Sequence, residues 1–217
     1  MFKIYEGDSF IVLDELQDNS IDMSFTSPDP PSSVQDITQL VDIFKKIKQK
    51  TKDSGSLWVQ IGDYHNNEGS MNLVPEIFVL MMKDRGWIVR SKLIWHRTEE
   101  TKPEEYDRFV RNWEYLYFFT KTRNHFFNKN LGLQRTSVFS IPTDRVKSDK
   151  FRSAFPEKLI EISIKVATSH GHTVLDPFCG SGTTGVVALK NRRSFIGIEK
   201  RKENIPLIQQ RLSKFDL

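Results

Sequence analysis

The segment Asp176-Pro177-Phe178-Cys179-Gly180-Ser181-Gly182-Thr183-Thr184-Gly185 joins a carboxylate to three glycines spaced G-x-G-x-x-G. It follows a strand-like run (TVLDPF, 173–178) and opens a helical one. Glycines placed there let a ligand approach the backbone at a helix N-terminus. Glu199 ends the next strand-like run (SFIGIE, 194–199), where a carboxylate can accept both hydroxyls of a ribose. An adenosine-containing ligand is implied. A dinucleotide is disfavoured on two counts. Asp176 at the strand end would repel a pyrophosphate and suits an ammonium group instead. Only 18 residues follow Glu199, too few for the strands a dinucleotide domain still needs.

D-P-F-C-G-S-G-T-T followed by F-I-G-I-E closely resembles the S-adenosyl-L-methionine site of the DNA amino-methyltransferases, which act on the N4 amine of cytosine or the N6 amine of adenine. The resemblance implies a cofactor site of Asp176, Phe178, Gly180, Gly182, Thr183 and Glu199. The acid and the glycines would hold the methionine part, and Glu199 the ribose. It further implies that Asp8, in GDSF, touches the adenine. The segment Ala154-Phe155-Pro156-Glu157 is either the family's segment that closes over the methionine, through Phe155, or a simple helix start.

The other half of such a site is a Ser-Pro-Pro-aromatic or Asp-Pro-Pro-aromatic motif, and residues 26–33 read Thr-Ser-Pro-Asp-Pro-Pro-Ser-Ser. An exocyclic amine is a poor nucleophile because its lone pair is delocalised into the ring. A side-chain oxygen and a backbone carbonyl accepting its hydrogens localise that pair, and prolines stiffen the loop that presents them. Ser27, Pro28, Asp29 and Pro30 are the candidate catalytic residues. Counting along the strand from Asp22 puts Ser27 in the acceptor slot; the alternative register starts at Asp29. In both, the aromatic that stacks on the flipped base is missing, and Tyr64 and Trp95 are the candidate replacements. Both amines need the same pair of acceptors. The resemblance implies N4 of cytosine for the serine register, because Ser-Pro motifs are commoner there within the family, and N6 of adenine for the aspartate register. A catalytically weak nucleic-acid-binding relative is the third reading.

These residues need a scaffold. Strands are expected at 2–5, 21–27, 56–62, 87–96, 113–121, 173–178 and 194–199, and helices at 36–52 (capped by Asp36 and ended by Ser54-Gly55), 72–85, 156–169 and about 203–214, with one after the Gly-rich turn. Alternating strands and helices give an α/β fold with a mostly parallel sheet. The resemblance specifies it as a Rossmann-like class I S-adenosylmethionine-dependent methyltransferase. It would have a seven-stranded sheet, helices on both faces and circularly permuted motif order. GDYH (62–65), GWIVRSKLIWH (86–96) and RNWEYLYFFTK (111–121) look like the middle of that permuted group. One domain is expected over 1–217, with a catalytic half (1–121), a basic segment (122–152) and a cofactor half (153–217).

The 217 residues carry 32 Lys+Arg against 28 Asp+Glu, a net charge of +4 that leans only weakly towards an anionic partner. The excess concentrates between the two halves, where related enzymes insert their target-recognition region. Lys121, Arg123, Arg135, Arg145 and Lys147 are the candidate contacts to DNA phosphates. The segment is short for a recognition domain, which leaves a homodimer or a second specificity subunit open. Cys179 is the only cysteine, so neither an internal disulfide nor a zinc cluster is expected, and no metal is called for. No run approaches a membrane span, and a cytoplasmic enzyme of a restriction-modification type in a prokaryotic or virus-host cell is expected.

Overall fold

The computed structural model describes residues 1–99, 109–131, 136–143 and 156–215. β1 (Phe2–Glu6) leads into a short helix α1 (Ser9–Val12), then β2 (Ile21–Thr26), α2 (Val34–Lys50), β3 (Thr51–Ile61), α3 (Val74–Asp84), β4 (Ile88–His96) and β5 (Trp113–Thr120). After β6 (Val138–Ser140) come α4 (Glu157–Ala167), β7 (Thr173–Asp176), α5 (Thr183–Lys190), β8 (Ser194–Glu199) and α6 (Ile205–Leu212).

Among the described residues these strands form one sheet in the order β1-β8-β7-β2-β3-β5-β4-β6. That is eight strands where seven were expected. The addition is β6, three residues paired parallel to the end of β4; so short a run inside a polar segment carries no readable alternation. Every strand except β5 points the same way. The carboxyl ends of β1, β8, β7, β2 and β3 therefore share one edge with the amino end of β5. From β2 the chain moves through α2 to β3 on one side, and from β7 through α5 to β8 on the other. The β7/β2 junction is thus the topological switch point, where open α/β sheets bind ligands.

Both faces of the sheet are covered. Phe25, Trp58, Trp95 and Phe118 pack with Leu159 and Ile164 of α4, Val187 of α5 and Ile208 of α6. Leu57, Val59, Tyr117 and Phe119 on the opposite face pack with Val41 and Phe44 of α2 and Phe78 of α3. The strict alternation in β3 and β5 divides the two cores, as period-2 side-chain placement requires.

Two local expectations need correction. The cap of α2 is Ser33, whose Oγ accepts from Asp36 N at 3.1 Å, while Asp36 reaches back to accept from Ser32 Oγ at 2.6 Å. Asp36 is therefore the third helical residue of a capping-box arrangement. These serine hydrogen bonds hold its carboxyl below the usual range. Ser54-Gly55 does not end α2 either. The helix gives way to β3 at Thr51, and Gly55 sits in a bulge between the paired positions Ile21↔Thr51 and Met23↔Ser56. A Cβ on Gly55 would lie 2.9 Å from the Asp22 carbonyl oxygen, so the bulge tolerates no side chain there.

A comparable close approach sits at Gly185 in α5, where a Cβ would fall 2.6 Å from the Phe195 ring and 2.9 Å from Leu212. Alanine is the better helix former by about 1 kcal/mol. Overpacking costs about 1–3 kcal/mol, so crowding wins. With the rigid Phe195 ring 2.6 Å away the overpacking falls at the upper end of that range, and Gly185→Ala is expected to lower stability by about 2 kcal/mol net. A denaturant midpoint equal to or above that of the parent chain would contradict this.

Candidate functional site

Each parallel strand delivers a chemically active residue to the shared edge as it ends: Asp8 just past β1, Glu199 on β8, Asp176 on β7, Ser27 just past β2 and Asp63 just past β3. Asp8 caps α1, accepting from Phe10 N at 2.9 Å, and takes a 3.0 Å contact from Lys200 Nζ. Those partners lower its pKa, the Lys200 hydrogen bond most. The amide of Gly7 donates to the Glu199 carbonyl at 3.0 Å, which fixes the Asp8 loop beside the end of β8.

Asp176 is buried at the switch point. Its Oδ1 accepts from Thr26 Oγ1 at 2.7 Å and from Phe178 N at 3.1 Å, and its Oδ2 accepts from Thr184 Oγ1 at 2.7 Å. All three donors are neutral. Desolvation outweighs these hydrogen bonds and raises the carboxyl to about 6. Glu199, also buried, accepts from Gly180 N at 2.8 Å, Arg201 N at 2.9 Å and Asn204 Nδ2 at 3.3 Å. Among the described residues neither Asp176 nor Glu199 has an ion-pair partner; the nearby cations Lys200 and Arg211 are bonded to Asp8 and to the turn instead.

The turn between them is shaped by its glycines. Gly180 and Gly182 adopt φ of 53° and 77°, which L side chains rarely do. A Cβ on Gly180 would meet nothing closer than the Phe178 carbonyl oxygen at 3.8 Å, leaving backbone that a ligand can approach. The Thr183 hydroxyl is engaged by Ser181 Oγ at 2.9 Å and by Arg211 Nη1 at 3.0 Å. Arg211, from α6, also donates to the Ser181 carbonyl at 3.0 Å and so clamps the turn from outside. No sequence motif pointed to Arg211; its role depends on α6 folding back over α5. Phe178 packs edge-on to Phe44 at 6.3 Å, seating the start of the turn on the second core. Cys179 is buried, with its thiol pushed up by desolvation and by the charges of Asp176 and Glu199.

Ser27 is exposed directly after β2, and its hydroxyl donates to Gln60 Oε1. Pro28 is buried, whereas Asp29 and Pro30 are exposed; Asp29 makes no hydrogen bond to any described residue. The loop is pinned further on by Tyr64, whose hydroxyl donates to the Pro31 carbonyl at 2.7 Å. Of the two candidate replacement rings, Trp95 is buried, with its indole donating to Ile141 O at 2.8 Å, and presents no face to a base. Tyr64 is half-buried and tethered to the proline loop.

Of the basic candidates, the described Lys121 and Arg123 are not at this edge. β5 runs against its neighbours, so Lys121 and Arg123, just past its end, lie at the opposite edge of the sheet. Lys121 Nζ is 3.1 Å from Asp53 Oδ1 and donates to Asn19 Oδ1 at 2.6 Å and Thr51 O at 2.9 Å. The strand direction, which composition does not reveal, separates these two from Ser27. Arg135, Arg145, Lys147 and Phe155 lie outside the described residues.

Comparison with known proteins gives the chain a family. The chain is 29% identical to the type II methyltransferase M.XycI of Xanthomonas campestris pv. cyanopsidis, over 96% of this chain and 87% of that protein. It is 28% identical to M.Cfr9I of Citrobacter freundii, over 98% and 88%. Among solved structures, the PvuII DNA methyltransferase (cytosine-N4-specific) superposes with a TM-score of 0.87 at 21% identity, covering 97% of this chain and 86% of that one. The M1.HpyAVI–SAM complex superposes with a TM-score of 0.79 at 22% identity, covering 98% and 99%. Both are likenesses of fold. Residues 27–210 match the DNA methylase family of N6/N4 type, and the chain belongs to that family.

Proposed function

We propose that the chain transfers a methyl group from S-adenosyl-L-methionine to the N4 amine of cytosine in DNA. One observation carries the choice of amine: Ser27, not Asp29, stands at the end of β2, one residue from the Thr26 that is bonded to Asp176. In support, the PvuII enzyme that shares the fold is named cytosine-N4-specific. The division into a catalytic half (1–121), a basic segment (122–152) and a cofactor half (153–217) belongs to the same proposal.

The described residues fit S-adenosylmethionine. A cationic ligand would compensate two buried carboxylates that have no ion-pair partner among the described residues, and Gly180 leaves backbone open to it. Asp176, with the Gly180–Gly182 turn, would hold the ammonium of the methionine part, Glu199 the ribose, and Asp8 the adenine side. When bound, the cofactor would supply a sulfonium-borne methyl as electrophile, with the neutral thioether as its leaving group and the amine's surplus proton passing to water. Ser27 Oγ and the loop carbonyl accept the hydrogens of the target amine and localise its lone pair. Tyr64 holds the loop that carries that carbonyl and offers a ring beside it.

Asp176 gives a pH signature. A bound ammonium favours the ionised carboxyl, so cofactor affinity is expected to be full above pH 6 and to fall as pH drops through about 6. The sign for stability is opposite. The folded pKa is raised from 3.8 to about 6, so this carboxyl favours the ligand-free fold most below pH 3.8 and ceases to do so as pH rises through about 6. Asp176→Asn should therefore weaken S-adenosylmethionine binding at least tenfold by calorimetry while raising the ligand-free stability at pH 8 by about 1–3 kcal/mol. Unchanged affinity in that variant would remove Asp176 from the cofactor site.

The choice of amine has its own test. Ser27→Ala is expected to reduce turnover far more than Asp29→Ala, and nucleosides from treated DNA should contain N4-methylcytosine. N6-methyladenine as the main product, with the mutational order reversed, selects the Asp29 register and adenine. No transfer to DNA by the parent chain selects the weak relative.

Contact with DNA is proposed for Arg135, Arg145 and Lys147 rather than Lys121, which is already paired. Neutralising Arg145 or Lys147 should reduce the salt slope of DNA binding by about one unit each. Lys121→Gln should leave it alone, and a slope that responds only to Lys121 would reverse the assignment.

A further inference from the structure

Four adjacent strands each place one polar residue in a single row at the edge of the site. In the parallel pairing of β2 with β3, Thr26 lies opposite Val59, so Ser27 follows opposite Gln60. Gln60 is paired with Leu116, and Glu114 is its diagonal neighbour on the same face. Glu114 is paired with Trp95, and Arg97 is two residues further on. The row is hydrogen-bonded throughout. Arg97 Nη1 donates to Glu114 Oε1 at 2.9 Å, Gln60 Nε2 donates to Glu114 Oε2, and Ser27 Oγ donates to Gln60 Oε1. Gln60 is 5% exposed.

We propose that Arg97, Glu114 and Gln60 form a polarity-setting chain that fixes the direction of the Ser27 hydroxyl, making Gln60 a positioning residue for methyl transfer. This rests on the reading of Ser27 as acceptor for the target amine.

Donor and acceptor types alone decide the direction of the chain. A carboxylate paired with a guanidinium only accepts, so Glu114 must face the NH2 end of the Gln60 amide. The amide oxygen is thereby turned to Ser27, which must spend its one proton on it. The serine's lone pairs are left for the hydrogens of the incoming amine. A freely rotating hydroxyl could instead donate to the amine nitrogen and occupy the lone pair that must attack. The charge of Arg97 thus sets the orientation of a neutral group three strands away. Arg97 is itself held by Nη2 donating to Arg111 O at 2.7 Å, and Arg111 donates to Asp63 O.

The test is a double-mutant cycle in the full chain, with tritiated methyl transfer to unmethylated DNA as readout. Gln60→Leu is expected to lower kcat about tenfold with the KM for DNA and the cofactor affinity unchanged. In the Ser27→Ala background the same change should have no further effect, because Gln60 acts through that hydroxyl. Losses that multiply overturn the proposal while leaving Ser27 as acceptor. Full activity in Ser27→Ala overturns the acceptor reading and the chain with it. Gln60→Glu adds a signature that a structural role would not produce. Protonated, the new carboxyl can donate to Glu114 and accept from Ser27 as glutamine does. Ionised, it loses its donor to Glu114 and is repelled by it, the nearest charge, with Arg97, Arg111 and Asp63 next along the row, so the side chain is driven from its place beside Ser27. Its activity should therefore approach that of the parent at low pH and be lost as pH rises, over a range where the parent shows no such loss. Equal impairment at every pH overturns the proposal. If Gln60→Leu fails to fold, the Gln60→Glu profile decides alone.

Discussion

The 2.7 Å hydrogen bond from Thr26 to Asp176 crosses the junction of β2 and β7, and the geometry of the site depends on it. One partner ends the strand that leads into the proline loop; the other ends the strand that leads into the glycine turn. The parallel pairing Met23↔Val174 and Ser24↔Leu175 sets the height at which both strands stop. A one-residue slip would turn every β2 side chain to the other face and carry Ser27 out of the row it shares with Gln60. The pairing is secured by packing on both faces, so hydrophobic burial fixes where two polar loops meet.

The same junction carries an electrostatic tension. Asp176 and Glu199 are buried, yet the donors that reach them are hydroxyls, amides and a side-chain amide. With the Asp176 carboxyl ionised, the empty site is less stable than it would be with a neutral residue there, and that deficit favours a cationic guest. The polar row beyond Ser27 is built on the opposite plan, with Glu114 matched by Arg97. One part of the edge is left short of positive charge, and the part beside it is balanced and rigid.

How much of this the sequence disclosed depended on whether residue type or strand register carried the signal. The glycine turn was legible because a left-handed backbone selects glycine at Gly180 and Gly182, and Glu199 because a carboxylate ends the next strand. Most elements were legible because their apolar periods are regular. The row Ser27–Gln60–Glu114–Arg97 was not, since it exists only once four strands are aligned. Arg211 reaches the turn from a helix more than one element away. Lys121 and Arg123 stood out as a charge cluster, but β5 runs in reverse and takes them to the far edge. Trp95 belonged to an aromatic strand whose inward face could not be told from its outward one without its partners.

The strand order β1-β8-β7-β2 places the last two strands of the chain between the first two. On the ribosome, β1 and β2 emerge early, but neither has its neighbour on that side until β7 and β8 have been made. The flank of β2 then stays open until β7 has been made, an unpaired edge of the kind that invites pairing with other chains. Closure joins residues as distant as Ser9 and Pro177, and such long-range contacts form slowly. A growing chain therefore has its proline loop long before it has its glycine turn, and the two meet only when the unit β7-α5-β8 slots into the gap.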